Sequence, residues 1–144
     1  MSVELPFAPV DAIIRRNADG LRVSAEATAA LAERIEAQGA RIAIDAAERA
    51  DADGRKTLMA TDFSVKSLPA KEELTLPIAP VDRIARLRID DRYRVAMDAR
   101  IALATLLERY ADEVAENAAI LSRHADRRTV TVDDIETYFD LRGE

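Results

Sequence analysis

The chain has no cysteine, so neither a disulfide framework nor a thiolate metal site is available to it. It has no tryptophan, and aromatic residues make up only 4% of its 144 residues. Alanine fills much of the 49% apolar share, which favours helix over sheet. There are four glycines and no glycine-rich phosphate loop. The single histidine is His124, and the carboxylate pairs Asp90-Asp91 and Asp133-Asp134 are merely adjacent in sequence. Nothing here arranges acid–base or nucleophilic chemistry in a cleft, so no enzyme, cofactor, metal or small-molecule substrate is expected. No apolar run approaches the roughly 20 residues that span a bilayer. The opening residues also lack a basic segment followed by an apolar stretch, so no secretion signal is expected.

Lysine is scarce too. Only three of the 21 basic residues are lysine, and the formal net charge is -6. An acidic, lysine-poor surface suits molar salt, where carboxylates hold water and cations. It also suits any acidic soluble protein. Taken alone, this charge argues against nucleic acid as a partner.

What is present is said twice. Leu5-Pro6-Phe7-Ala8-Pro9-Val10-Asp11 returns as Leu76-Pro77-Ile78-Ala79-Pro80-Val81-Asp82, 71 residues on. Gly54-Arg55-Lys56-Thr57 with Asp62 returns as Asp126-Arg127-Arg128-Thr129 with Asp134, 72 residues on. Two copies are too few and too long for a solenoid array. They divide the chain into a first copy over residues 1–69, a linker over 70–75 and a second copy over 76–144. A lone core of about 70 residues is marginal, so mutual burial of the copies is the economical solution.

Each copy reads as three helices. In the first, Val10, Ile13 and Ile14 stripe a short helix that stops near Asn17 to Gly20. Arg22-Val23 is a brief extended piece. Ser24 caps a long helix that runs to about Ala50, with Ala27, Leu31, Ile35 and Ala46 at helical spacing. Thr57 to Met59 is extended again, and a last short helix is expected from about Thr61 to Leu68, where Pro69 ends it. The second copy repeats this with Val81 and Ile84, then Val95, then a long stripe from Ala99 to Leu121. Arg128 to Val130 is its second extended piece. Thr131 with Asp134 reads as a capping box for a helix reaching about Leu141.

The ordered motifs resemble archaeal histones. They are the Leu-Pro-x-Ala-Pro opening, Arg22-Val23-Ser24 or Arg94-Val95 before the long helix, and the second-loop Arg and Thr with an Asp after it. The likeness covers about residues 3 to 68 and 74 to 140, and the whole is similar to the fused histone doublets of haloarchaea. It implies an all-α chain of two tandem histone folds, short-long-short in helices, paired as an intramolecular handshake pseudo-dimer. The first loop of one copy should then lie beside the second loop of the other.

The same resemblance implies double-stranded DNA as partner, bound and bent with little base choice, and a place in the cytoplasm on the chromosome. One expected edge carries Arg22, Ser24, Arg127, Arg128 and Thr129. The other carries Arg94, Arg55, Lys56 and Thr57. The paired N-termini of the first helices should add Arg15, Arg16, Arg83 and Arg86, with amides that suit phosphate. Arg55-Asp62 and Arg127-Asp134 should be internal ion pairs. His124, Leu121 and Asp134 occupy sites that join dimers in the family, while the first copy has Arg49 and Ala52 where the second has Leu121 and His124. Self-association through the second copy alone is therefore expected.

Departures from the family pattern keep a second reading open. Ala12 stands at a usually basic site, Ala96 replaces a capping serine, and Met59 and Thr131 replace lysines. Near 1 M salt the Debye length is about 3 Å, which weakens phosphate contacts. A sparse transcription regulator, or a histone fold that docks other proteins, fits strong acidity better than bulk packaging does.

Overall fold

The computed structural model describes residues 4–144; the expectations that reach residues 1–3 lie outside the described residues. The first short helix, α1, spans Phe7–Ala18 and ends with Asp19 and Gly20 both at positive φ. Strand β1 is Arg22–Val23, and the long helix α2 spans Ala25–Ala52. Ser24 caps it, its hydroxyl accepting from the Ala27 amide at 3.1 Å. Strand β2 is Thr57–Leu58, followed by a 3-10 turn over Ala60–Phe63 and another over Lys71–Glu73. The second copy contributes α3 (Ile78–Ala85), β3 (Arg94–Val95), α4 (Met97–His124), β4 (Thr129–Val130) and α5 (Val132–Leu141). The two long helices are each 28 residues and start and stop 72 positions apart.

Both long helices are buried along stripes made mostly of alanine. Small side chains let helices approach closely, and Gly39 at the middle of α2 shows how closely. A Cβ placed there would lie 2.6 Å from Ile84 Cγ2 and 3.0 Å from Leu107 Cδ1. Around this crossing, α1 and α3 each pack on both long helices. The fully buried Ile13, Ile14, Leu31, Ile35, Ile84, Leu103 and Leu107 join one continuous core drawn from both copies. The tandem histone folds are thus closed on each other.

The loops pair between copies as the handshake requires. β1 lies parallel to β4, with Arg22 opposite Thr129 and Val23 opposite Val130. β2 lies parallel to β3, with Thr57 opposite Arg94 and Leu58 opposite Val95. The Ser24 amide donates to Val130 at 3.0 Å and the Ala96 amide to Leu58 at 3.0 Å, so the two edges repeat one bonding pattern.

Polar ties reinforce the pairing. Arg16 forks onto Asp112 at 2.9 Å through both Nε and Nη2. Buried Glu108 accepts the Thr75 and Leu76 amides at 2.6 and 2.9 Å, which fixes the end of the linker to α4. Arg34 bonds Glu136 at 2.9 Å and lies 4.0 Å over the Phe139 ring.

Three sequence expectations need correction. The last helix of the first copy does not form beyond the single turn Ala60–Phe63, because Ser64 turns left-handed at φ 59°. In the second copy Tyr138 and Phe139 anchor α5 by burial, but the matching positions hold Lys66 and Ser67, both exposed. With those two anchors missing and Pro69 ahead, Val65 is the one buried side chain of residues 64–69, and the helix has little to continue on. The capping box at Thr131 is only half made. Asp134 accepts the Thr131 amide at 2.8 Å, but the Thr131 hydroxyl donates to that same carboxylate rather than accepting from the helix. Finally, the second copy does not simply repeat the first: α3 stops a turn earlier than α1, and a turn held by Asp90, Arg92 and Tyr93 fills the longer loop this leaves before β3.

Candidate nucleic-acid interface

Pairing of β1 with β4 builds one edge, and pairing of β2 with β3 builds the other. At the first edge the Arg22 amide donates to the Arg128 carbonyl at 2.9 Å, which sets the two side chains on adjoining strands. Both are exposed, and among the described residues neither is tied to a carboxylate. Thr129 and Ser24 are half-buried beside them, Ser24 spent on its cap. Arg123 also reaches this edge, donating to the Ala18 carbonyl at 3.4 Å. Sequence reasoning passed over Arg123, although its place at the end of α4 beside a basic loop was a usable signal.

The second edge is differently made. The Arg94 amide donates to the Lys56 carbonyl at 2.8 Å, and the Arg94 side chain is exposed without a carboxylate partner among the described residues. Lys56 is not free. Its ammonium donates to Asp51 at 2.7 Å and sits 5.0 Å over the Tyr93 ring. The Tyr93 hydroxyl donates to the other oxygen of Asp51. Thr57 lies half-buried beside them.

Arg55 and Arg127 point inward. Arg55 grips buried Asp62 through two bonds at 2.9 and 2.8 Å, and Arg127 grips buried Asp134 through two at 2.7 and 2.5 Å. Each aspartate also accepts the amide three residues before it, Met59 at 2.7 Å and Thr131 at 2.8 Å. The pairs therefore shape the second loops and hold the strands at their register. The Arg55 guanidinium holds the Asp62 carboxyl below the usual carboxylate range, with the Met59 amide helping and burial opposing.

The first-helix arginines depart from expectation. Arg15, Arg16 and Arg83 occupy last turns and Arg86 the C-cap of α3, so none flanks a helix N-terminus. Each is also engaged. Arg15 pairs with Asp11 at 2.7 Å, Arg83 with Glu4 at 2.7 Å and Arg86 with Asp82 at 3.1 Å. Arg16 is committed to Asp112, Glu108 and Thr75, which makes it a tie between the copies.

At the end of α4, His124 is exposed and Leu121 half-buried, while Asp134 is only 1% exposed and saturated by Arg127 and Thr131. The structure thus brings Asp134 to Arg127, not to His124. Ile120 is 49% exposed one helical turn before His124, an apolar group that sequence reasoning missed. Its counterpart 72 residues earlier is Glu48. In the first copy Arg49 donates to the Asp62 carbonyl at 2.7 Å.

The Asp62 pair carries a stability prediction. Stranding a buried carboxylate costs about 3 to 5 kcal/mol. Arg55 is partly exposed, so Arg55→Ala should lower the urea midpoint at neutral pH by less than a fully buried pair would. A carboxyl depressed in the folded state stabilises above its unfolded value, about 3.9, and that gain is lost as pH falls through the folded value. Wild type should therefore lose more stability between pH 5 and 3, two round values about that point, than Asp62→Asn does. Equal losses in the two proteins would contradict the assignment.

Comparison with known proteins matches this geometry. The family described as "Histone-like transcription factor (CBF/NF-Y) and archaeal histone" matches residues 3–65 and again 74–137. A subunit of the archaeal histone HAN1 from Thermococcus zilligii is 48% identical over 60 residues, 42% of this chain and 87% of that protein. The crystal structure of the histone from Methanopyrus kandleri superposes with a TM-score of 0.68 at 27% identity, over 92% of this chain and 91% of that one. The crystal structure of a protein from Thermus thermophilus reaches 0.70 at 17% identity, over 96% and 99%, which speaks to the fold alone. The chain belongs to the histone-like transcription factor and archaeal histone family and carries that family's unit twice.

Proposed function

We propose that this protein is a DNA-binding architectural protein of the nucleoid, a fused histone doublet of the haloarchaeal type with its halves at 1–69 and 76–144. It binds duplex DNA through backbone and minor-groove contacts, bends it, and makes little choice of sequence. One observation carries the reading: Arg22, Arg128 and Arg94 stand exposed at the two loop edges and, among the described residues, free of carboxylates, in a chain whose formal net charge is -6. A basic group kept free in so acidic a protein is available to an external anion. Arg55 and Arg127 serve as internal supports of those edges. Arg16 is left out of the DNA-facing set, because its donors hold the two copies together.

Replacing Arg22 and Arg94 together with alanine should weaken binding to unrelated sequences equally. Each lost phosphate contact should flatten the slope of log affinity against log salt by about 0.9. Fluorescence anisotropy on random and repetitive duplexes at several salt concentrations reads both effects. Unchanged affinity in the double variant would remove these arginines from the interface.

A second reading is favoured by the same charge pattern. Arg15, Arg83, Arg86 and Lys56 are each neutralised by a neighbouring carboxylate. So few cations left free in the expected DNA-facing set suit occasional binding by a transcription regulator, or a module that docks proteins, better than continuous wrapping at high salt. Nuclease digestion after titration separates the two: ladders of protected lengths follow from wrapping, isolated footprints from sparse binding.

Self-association belongs to the second copy. Ile120, Leu121 and His124 offer an apolar and polar surface at the end of α4, where the first copy presents Glu48, Arg49 and Ala52. Burying the exposed half of Ile120 contributes about 1 kcal/mol on each side. Ile120→Glu combined with His124→Ala should convert a two-chain particle into a single chain in sedimentation, while Arg49→Ala should not. A wild-type protein that stays single at every concentration, with and without DNA, contradicts this assembly.

A further inference from the structure

The two edges occupy equivalent places in the fold, yet their chemistry differs at three matched positions. Shifted by 72 residues, Lys56 corresponds to Arg128, Tyr93 to Leu21 and Asp51 to Arg123. The last of these reverses a charge. At the first edge, Arg123 adds to Arg22 and Arg128, so three guanidinium groups surround one strand pair. At the second, Asp51 takes both the Lys56 ammonium, at 2.7 Å, and the Tyr93 hydroxyl. Lys56 also rests over the Tyr93 ring at 5.0 Å. The three groups come from the end of α2, the loop before β2 and the loop before β3, so they close across the seam between the copies.

We propose that Asp51 is a built-in competitor for phosphate at the second edge, so that the protein engages duplex DNA first at the Arg22–Arg128 edge and reaches the second edge only by displacing that carboxylate. This rests on the DNA-binding reading above. A carboxylate 2.7 Å from an ammonium occupies the position a phosphate oxygen would take. Tyr93 holds the carboxylate there by donating to its second oxygen. Nearby cations and the tyrosine keep Asp51 ionised, its carboxyl lying below the usual range, with the Lys56 bond the largest cause and the Tyr93 bond the next. The competitor is therefore charged at neutral pH. Among the described residues the first edge carries no such group, because the equivalent position is Arg123.

The arrangement makes the pseudo-dimer polar along the DNA. One end grips; the other yields when phosphate is presented close by, which duplex held at the first edge does. Removing the competitor should then act through Lys56 and nowhere else. That gives a double-variant test that separates a local clasp from a general change in charge.

The experiment measures duplex affinity by anisotropy across salt for wild type, Asp51→Asn, Lys56→Gln and the double variant, with thermal melts to show that each is folded. Asp51→Asn should tighten binding by about fivefold and steepen the salt slope by about 0.9, one more phosphate neutralised. In the Lys56→Gln background the same change should give less than about a third of that gain. Arg128→Gln should weaken binding several times more than Lys56→Gln does. Equal gains from Asp51→Asn in both backgrounds, or no gain at all while wild type binds, overturn the clasp and leave the DNA reading standing. No binding by wild type or any variant, even at low salt, overturns the DNA reading and the clasp with it.

Discussion

The crossing of α2 with α4 is the contact on which everything else in this molecule depends. Each helix is 28 residues long and apolar on more than one side, and a three-helix unit of about 70 residues cannot cover both sides. Alanine along both stripes and Gly39 at the middle let the two backbones come close enough for each helix to bury the other. In two separate chains this contact would depend on concentration. On one chain, a linker that includes the short turn Lys71–Glu73 keeps the partner at an effective concentration of about millimolar. Glu108 ties the end of that linker down, and Arg16 locks α1 of one copy onto α4 of the other.

The crossing also decides where the loops go. With the copies head to tail, each first loop can bond only to the other copy's second loop, and two short parallel strand pairs result. Each pair is only two residues long, too short to persist without support. Their register is held by the Arg55–Asp62 and Arg127–Asp134 pairs behind them and by Leu58, Val95 and Val130 buried beneath. Surface chemistry then follows from geometry. The chain is acidic as a whole, yet the seams gather arginines, while Arg15, Arg16, Arg83 and Arg86 are answered by acids on the rest of the surface.

Much of this was legible in the sequence because it repeats. Two copies of one pattern, with Ser24 before a long alanine stripe and Arg-Val ahead of it, led to the helix order, and the resemblance to archaeal histones implied the loop pairing and the two internal ion pairs. What was not legible depended on groups distant in sequence. Arg16 reads as a surface cation until Asp112, 96 residues away, is seen to hold it. Lys56 reads as a free phosphate ligand until Asp51 and Tyr93 are seen to close on it. The missing last helix of the first copy is an intermediate case. Lys66 and Ser67 stand where the second copy has Tyr138 and Phe139, and comparing the copies position by position exposes the loss of anchors. Helical propensity alone did not, since burial decides whether so short a helix survives.

The central claim is that the two copies are one folding unit, each supplying the core the other lacks. Cutting the chain between Lys71 and Glu73, in an exposed turn, tests it without touching the core. Circular dichroism of each purified half and of their mixture is the measurement. Each half alone should be largely unfolded, and the mixture should regain the helix of the intact chain with a midpoint that rises with concentration. Two halves that are each stably helical and monomeric on their own would contradict the account.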